Sequence, residues 1–220
     1  MPSYRQFVET LELWQRFPGL ERGEPGGAKV ALTFDDGPDP DSTPAVLDAL
    51  DAIGVHATFF MLGEQLMLHQ DIGREVVRRG HEVALHGFAH DEHAELSPQQ
   101  ARDDLARGLG ALEASTGRHP RFYRPPYGRF SEHSFKACAW LKMRPVYWSG
   151  WGMDWEAIPP ARIADLASRD LADGAILLLH DSARYADRES ALPTAEALAP
   201  LGERALAAGL RLATLSEVVT

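Results

Sequence analysis

The chain is predicted to be an α/β protein with a parallel sheet of about seven strands flanked by helices, either open or closed into a barrel. Three observations predict it. Short apolar or aromatic runs alternate with longer stretches of helical periodicity. Glycine or proline marks almost every junction between them. The chemically reactive residues gather where strands end rather than where they begin, the rim on which folds of this class build their sites. At 220 residues, 45% hydrophobic and 25% charged, the chain has an ordinary globular composition and enough length for a substantial core.

Residues 4–18 place Tyr4, Phe7, Val8, Leu11, Leu13, Trp14 and Phe17 at the spacing of an amphipathic helix. Gly23-Glu24-Pro25-Gly26-Gly27 reads as a flexible link. Residues 1–27 are therefore expected to form a lead-in helix and linker, and 28–220 the main domain. The first strand spans 28–35. Thr43-Pro44 supplies an N-cap followed by proline at the first helical position, and Val46, Leu47, Leu50 and Ile53 continue that helix to Gly54. A second strand runs from His56 to Leu62, a helix over 64–79, and a third strand from His81 to Leu85. Ser97-Pro98-Gln99-Gln100 is a capping box that opens a helix ending at Gly117. A short strand at 121–123, a helix at 132–143 and a strand at 145–148 follow. Pro159-Pro160 opens a helix over 161–172, Ala175 to Leu179 is a buried strand, and 182–193 is a polar loop. Helix 194–208, strand 210–214 and a short terminal helix complete the chain.

The formal charge, 22 basic against 32 acidic residues for a net of −10, argues against sequence-independent binding to nucleic acid or to an anionic membrane. No run approaches the roughly 18 apolar residues that a membrane span requires. The opening Met1-Pro2-Ser3-Tyr4-Arg5 lacks the apolar segment of a secretory signal, so a cytoplasmic protein is expected. Cys138 is the single cysteine, which precludes an internal disulfide; within a helix it reads as a buried thiol.

Placed on this scheme, Asp35 and Asp36 end strand one, within Thr33-Phe34-Asp35-Asp36-Gly37-Pro38. His86 ends strand three, Arg124 strand four, and His180-Asp181 strand six, while Asp154 follows strand five. Successive side chains leave a strand on opposite faces. The adjacent carboxylates are thus expected to aim at different points, one as a ligand and the other as a proton carrier. His86-Gly87-Phe88-Ala89-His90 sets two imidazoles four residues apart, a spacing at which both can meet one metal ion. Two histidines and a carboxylate leave coordination positions open for water and substrate. His180 ends the most apolar strand and can donate a proton if a carboxylate, for which Asp154 is a candidate, holds its charged form. Arg124, fixed by two following prolines, has the rigid fork suited to holding a carboxylate such as Asp35. His56, His69, His81, His93, His119 and His133 read as structural or solvated.

Five segments in order resemble the motifs of the polysaccharide deacetylases, the carbohydrate esterases with a chitooligosaccharide-deacetylase (NodB) homology domain. They are TFDDGP at 33–38, HGFAH at 86–90, RPPYG at 124–128, DW at 154–155 and LLLHD at 177–181; ATFF at 57–60 is also similar. The resemblance covers roughly residues 28–215. It implies a distorted (β/α) barrel and removal of an acetyl group from an N-acetylated amino sugar or oligosaccharide by a water that a metal ion activates. By the same resemblance Asp36, His86 and His90 hold the metal, commonly zinc, sometimes cobalt or nickel. Asp35 is similar to the family's general base and His180 to its general acid, with Arg124 orienting the first and Asp154 tuning the second. The backbone N–H of Tyr127 would share the oxyanion with the metal, and Leu178 with Trp151 or Trp155 would enclose the acetyl methyl.

The sequence departs from the family at Gly87, where Ser or Thr is usual, so a loop-stabilising hydroxyl is missing. It departs again at Asp91, and the loop Trp148-Ser149-Gly150-Trp151-Gly152-Met153-Asp154-Trp155 could shape the pocket differently. An O-acetyl ester hydrolase is the nearest rival. Retention of Asp36, His86 and His90 speaks against a metal-independent amide or imide hydrolase. The alternating α/β pattern speaks against an iron oxygenase with two histidines and one carboxylate, and a binding protein without catalysis would need no acid–base pair.

Overall fold

The computed structural model describes residues 4–219 and the side chains from residue 9 onward, so Met1-Pro2-Ser3 and the side chains of Tyr4, Phe7 and Val8 lie outside what is described. No helix among these residues is long and apolar enough to cross a membrane. Helix α1 (Tyr4–Arg16) leads into β1 (Lys29–Asp35), α2 (Thr43–Ile53), β2 (Thr58–Met61), α3 (Gly63–Leu68), α4 (Gln70–Arg78) and β3 (Glu82–Leu85). Then come α5 (Pro98–Thr116), β4 (Phe122–Tyr123), a 3-10 turn (Pro126–Gly128), α6 (Glu132–Trp140), β5 (Arg144–Pro145) and β6 (Gly150–Trp151). Helix α7 (Pro160–Ser168), β7 (Ile176–His180), α8 (Leu192–Ala207), β8 (Arg211–Ala213) and α9 (Leu215–Val218) finish the chain.

All strand pairings are parallel, in the order β5-β4-β3-β2-β1-β7-β6, with β8 beside the start of β1. The two outermost strands, β5 and β6, are joined by only residues 146–149, so the sheet must curl until its ends approach. The result is the distorted barrel expected, but of the strand predicted at 145–148 only Pro145 lies in a strand, β5, and β6 lies beyond it, in the expected loop. The N-terminal segment fills the seam: Leu20 bridges Val146 in parallel and Arg22 bridges Ala175 in antiparallel fashion.

Alternation along the strands sorts the core into two layers. Val30, Leu32, Phe34, Phe59, Met61, Val83, Leu85, Tyr123, Leu177 and Leu179 face the helices. Ala31, Phe60, Ala84, Phe122 and Ile176 face the interior of the curl. Continuing each inner series by two residues brings Thr33, then Asp35, from β1, His86 from β3, Arg124 from β4, and Leu178, then His180, from β7. The polar site therefore caps the inner core at the carboxyl rim.

Three local expectations need correction. Thr43 is the first helical residue of α2, not its cap. Ser42 precedes the helix without a side-chain cap bond, because its hydroxyl donates to the Asp181 carbonyl at 2.6 Å. Thr43 Oγ1 is likewise used elsewhere, accepting from Asp39 N and donating to Asp181 Oδ2. The helix expected over 64–79 is two helices, broken at His69, where φ is −131° and ψ 50°. Gly73 consequently lies so close to Leu66 that a Cβ on it would meet Leu66 Cδ2 at 2.6 Å. Residues seven apart on a straight helix are separated by about 10 Å along its axis. The glycine-rich link, finally, is anchored: Gly23 N donates to Gly174 O, and Lys29 N donates to Asp173 Oδ1 at 3.0 Å.

The lead-in helix is similarly fastened. Trp14 stacks on Tyr147 with ring centroids 4.3 Å apart, meets Trp148 edge-on, and donates from Nε1 to Gly128 O at 2.9 Å. Phe17 is buried against Phe135, and Tyr147 donates to its carbonyl. Trp14→Ala is expected to cost about 3 kcal/mol of folding free energy, the range for removing a buried aromatic. Urea unfolding measures it; a loss below about 1 kcal/mol would mean that α1 contributes little to the body.

Candidate active site and metal centre

Asp36 does not diverge from Asp35 as strand alternation implied. Its backbone turns into the left-handed region, φ 79°, immediately after β1 ends, and this turn brings its carboxylate back toward the rim. His86 Nε2 then lies 3.3 Å from Asp36 Oδ1 and 3.9 Å from Asp35 Oδ2. His90 Nε2 is also 3.3 Å from Asp36 Oδ1. Both aspartates and His86 are buried, at 2–3% exposure, so bulk water does little to screen this concentration of lone pairs. Tyr127, in the turn after Pro125-Pro126, is a second non-glycine residue at positive φ, 58°. Left-handed backbone at such residues gathers at functional sites.

Whether these groups fit a metal is answered by their donors. His86 Nδ1 lies 2.8 Å from Arg124 O, an acceptor only, so Nδ1 carries a proton and Nε2 is the ring atom turned toward Asp36. Burial disfavours the charged ring, but the Asp35 and Asp36 carboxylates outweigh it and raise the His86 pKa. Asp36 Oδ1 is buried without a hydrogen bond, as is the Nδ1 of His90. Ligand atoms of Asp36, His86 and His90 lie within 4.8 Å of one another, as needed for donors about 2 Å from a common ion. Burial alone would raise the Asp36 carboxyl, but contact with the two imidazoles outweighs it and holds the group well below the usual carboxylate range. The trio fits a divalent cation.

On one flank, Asp35 Oδ1 accepts from Arg124 Nη1 at 2.7 Å. The same nitrogen donates to Thr33 Oγ1, and Nη2 to Tyr147 O at 2.8 Å. Arg124 is wholly buried, its guanidinium 4.1 Å from the Phe60 ring centroid. Burial lowers its pKa, and the Asp35 charge opposes that effect without cancelling it. On the other flank, His180 Nδ1 donates to Asp154 Oδ1 at 2.9 Å, and His180 N to Asp154 Oδ2 at 2.8 Å. Burial disfavours the imidazolium, yet the Asp154 charge prevails and raises His180 to about 9. Burial also opposes the Asp154 charge, which His180 and Arg188 together hold below its usual range. Asp35 and His180 are paired in register across β1 and β7, so base and acid candidates are neighbours on the rim.

The remaining expected residues line the same place. Tyr127 meets the His90 ring edge-on with centroids 4.6 Å apart. Trp151 is in register with Leu178, and Trp155 sits edge-on to His180 at 5.7 Å. Sequence reading missed residues of the polar loop after β7. Tyr185 stacks on His90 at 4.1 Å and donates to Glu64 Oε1, while Arg188 reaches Asp154 Oδ2 at 3.5 Å and the carbonyls of His180 and Ser182. Thr194 Oγ1 donates to Asp154 Oδ2. The Asp181 carboxyl, raised to about 7 chiefly by burial, accepts from Thr43 beneath the rim.

A curled parallel sheet with an acceptor trio fit for a cation, set between an arginine-held carboxylate and a carboxylate-held imidazole, defines a hydrolytic α/β barrel. Comparison with known proteins agrees. A family model described as polysaccharide deacetylase matches residues 22–146. A peptidoglycan-N-acetylglucosamine deacetylase of Bacillus cereus is 31% identical over 175 residues, covering 77% of this chain and 64% of that protein. A chitooligosaccharide deacetylase of Bradyrhizobium sp. is 35% identical over 157 residues, covering 71% and 72%. The chain spans 34% of the length of a further, longer relative. Among solved structures, the Bc1960 peptidoglycan N-acetylglucosamine deacetylase superposes with a TM-score of 0.86 at 28% identity, covering 94% and 95%. A family 4 acetyl xylan esterase of Clostridium thermocellum in complex with a cobalt ion gives 0.77 at 32% identity, covering 86% and 89%. The chain belongs to the polysaccharide deacetylase family.

Proposed function

We propose that the protein is a metal-dependent de-N-acetylase acting on an N-acetylated amino sugar or its oligomer. The observation that carries this reading is the common focus of Asp36, His86 and His90 between two charged pairs of opposite role. Asp36, His86 and His90 would hold a divalent ion, zinc first and cobalt or nickel as alternatives. When bound, such an ion supplies charge stabilisation for the developing oxyanion and a water acidic enough to attack at neutral pH.

Asp35 takes the proton of the attacking water, and Arg124 keeps its carboxylate aimed. His180 delivers a proton to the departing nitrogen as the C–N bond breaks, giving acetate and a free amine. Asp154 keeps His180 charged at neutral pH, which suits an amine leaving group that cannot depart unprotonated. The backbone N–H of Tyr127 assists the oxyanion. Leu178, with Trp151 and Trp155, receives the acetyl methyl, and Tyr127 and Tyr185 flank His90 where the sugar ring would approach. A cytoplasmic location is proposed, and cell fractionation tests it.

Acetate released from chitooligosaccharides is expected to fall to background after dialysis against a chelator and to return on addition of zinc or cobalt. Absence of acetate from a panel of N-acetylated sugars would overturn the reading. The likeness to an acetyl xylan esterase favours one second reading, hydrolysis of an O-acetyl ester, and acetylxylan assayed alongside separates the two.

A further inference from the structure

The loop between the two histidine ligands is clamped from both sides, and its own side chains contribute none of the bonds that hold its backbone. From α3, Gly63 N donates to Gly87 O and Glu64 N to Phe88 O, both at 2.9 Å. From α5, the Asp104 carboxylate accepts from Phe88 N at 3.1 Å and from Ala89 N at 3.0 Å. Asp104 is itself oriented. His93 Nε2 donates to its Oδ2 at 3.1 Å, and the Tyr123 hydroxyl donates to His93 Nδ1 at 3.0 Å. His93 and Tyr123 are wholly buried, and Asp104 is 8% exposed.

The close approach depends on missing side chains. A Cβ on Gly87, whose φ is +108°, would meet Asp104 Oδ2 at 2.9 Å, and a Cβ on Gly108 would meet Gly87 C and O at 2.7 Å. A carboxylate brought against backbone amides in a site this dry makes charge-assisted bonds, stronger than neutral ones. We propose that Asp104, aimed by His93 and Tyr123, is a positioning residue that presets the His86–His90 loop for the metal. Deepening the functional reading above, the proposal rests on the assignment of His86 and His90 as ligands. Asp104 touches neither the ion nor the substrate; it fixes the two amides between the ligands, and with them the separation and direction of the imidazoles. Groups of this kind typically alter metal affinity by about 10- to 100-fold.

The test compares the parent protein with Asp104→Ala and Asp104→Asn. Each is stripped of metal, checked for fold by circular dichroism, and titrated with zinc against a chromophoric chelator. Hydrogen exchange at the Phe88 and Ala89 amides is followed in the metal-free state. Asp104→Ala is expected to weaken zinc binding about 10-fold or more and to speed exchange at both amides. Asp104→Asn keeps an oxygen acceptor but loses the charge, and is expected to lie between it and the parent at about 3-fold or more. Should the alanine variant not fold, the asparagine variant decides. A folded variant that binds zinc within about 2-fold of the parent, even with a lowered unfolding midpoint, would overturn the proposal and leave Asp104 a merely structural residue. A parent protein that takes up no zinc would remove the ligand assignment itself, a failure visible before any variant is made.

Discussion

Asparagine in place of Asp35 is expected to lower kcat for acetate release by about 10³-fold with little change in KM, the middle of the range that a positioned proton acceptor supplies. The substitution keeps the shape of the side chain and one carbonyl oxygen for the Arg124 bond at 2.7 Å, but removes the basic oxygen that faces His86. Zinc content should stay near that of the parent, because the trio that meets at Asp36 Oδ1 is untouched. A stability cost is expected as well: Arg124 is wholly buried and would lose its charge partner, and removing one member of a buried pair costs roughly 3–5 kcal/mol. The kinetic comparison is therefore made well below the variant's own unfolding midpoint. A kcat within about tenfold of the parent would assign the proton to another group.

Loss of the imidazole in His180→Ala is expected to be equally severe, about 10³-fold in kcat for an amide, and milder for an ester of a good leaving group. Its protonation sets the basic limb of the pH–rate profile. His180 is held charged up to about 9, so activity is expected to stay level through neutral pH and to fall as pH rises through that value. In Asp154→Asn the charge that does most to hold the imidazolium against burial is gone, and the limb should move to lower pH while the acid side stays in place. An unmoved limb would detach His180 from proton delivery. The same raised pKa links to folding. Its contribution to stability is fully present below the ordinary histidine value of about 6.5 and is lost as pH rises through about 9. Asp154, held low, contributes stability above its ordinary range that is lost only as pH falls through the lowered value.

Much of this site was legible because strand ends are legible. An apolar run followed by Asp35-Asp36, by His86, or by Arg124-Pro125-Pro126 fixes which rim each residue occupies, and parallel pairing then collects them without further information. The direction of Asp36 was not legible. Alternation holds only while the backbone is extended, and the chain leaves that state at Asp36 itself. Arg188 and Tyr185 stayed hidden for a different reason: a polar loop has no period, so nothing in 182–193 separates a buried arginine from a solvated one. Asp104 follows the polar run Gln99, Gln100, Arg102 and Asp103, although helical spacing sets it on the buried face with Ala101, Leu105 and Gly108. Its significance lies in the close passage of α5 by Gly87, a contact between segments that no local pattern connects. The hydroxyl missing at position 87 marks that passage, for a side chain there would occupy the place of the Asp104 carboxylate.

The seam closed by Leu20 and Arg22 bears on how the molecule is made. These residues leave the ribosome early, yet their partners, Val146 and Ala175, are translated more than a hundred residues later. The nascent barrel thus stays unzipped along one side until most of the chain has emerged, and distant pairings of this kind are slow to form. A purification tag or fusion partner set against residues 20–23 would compete at a late joint, whereas one appended well upstream of α1 would leave it clear.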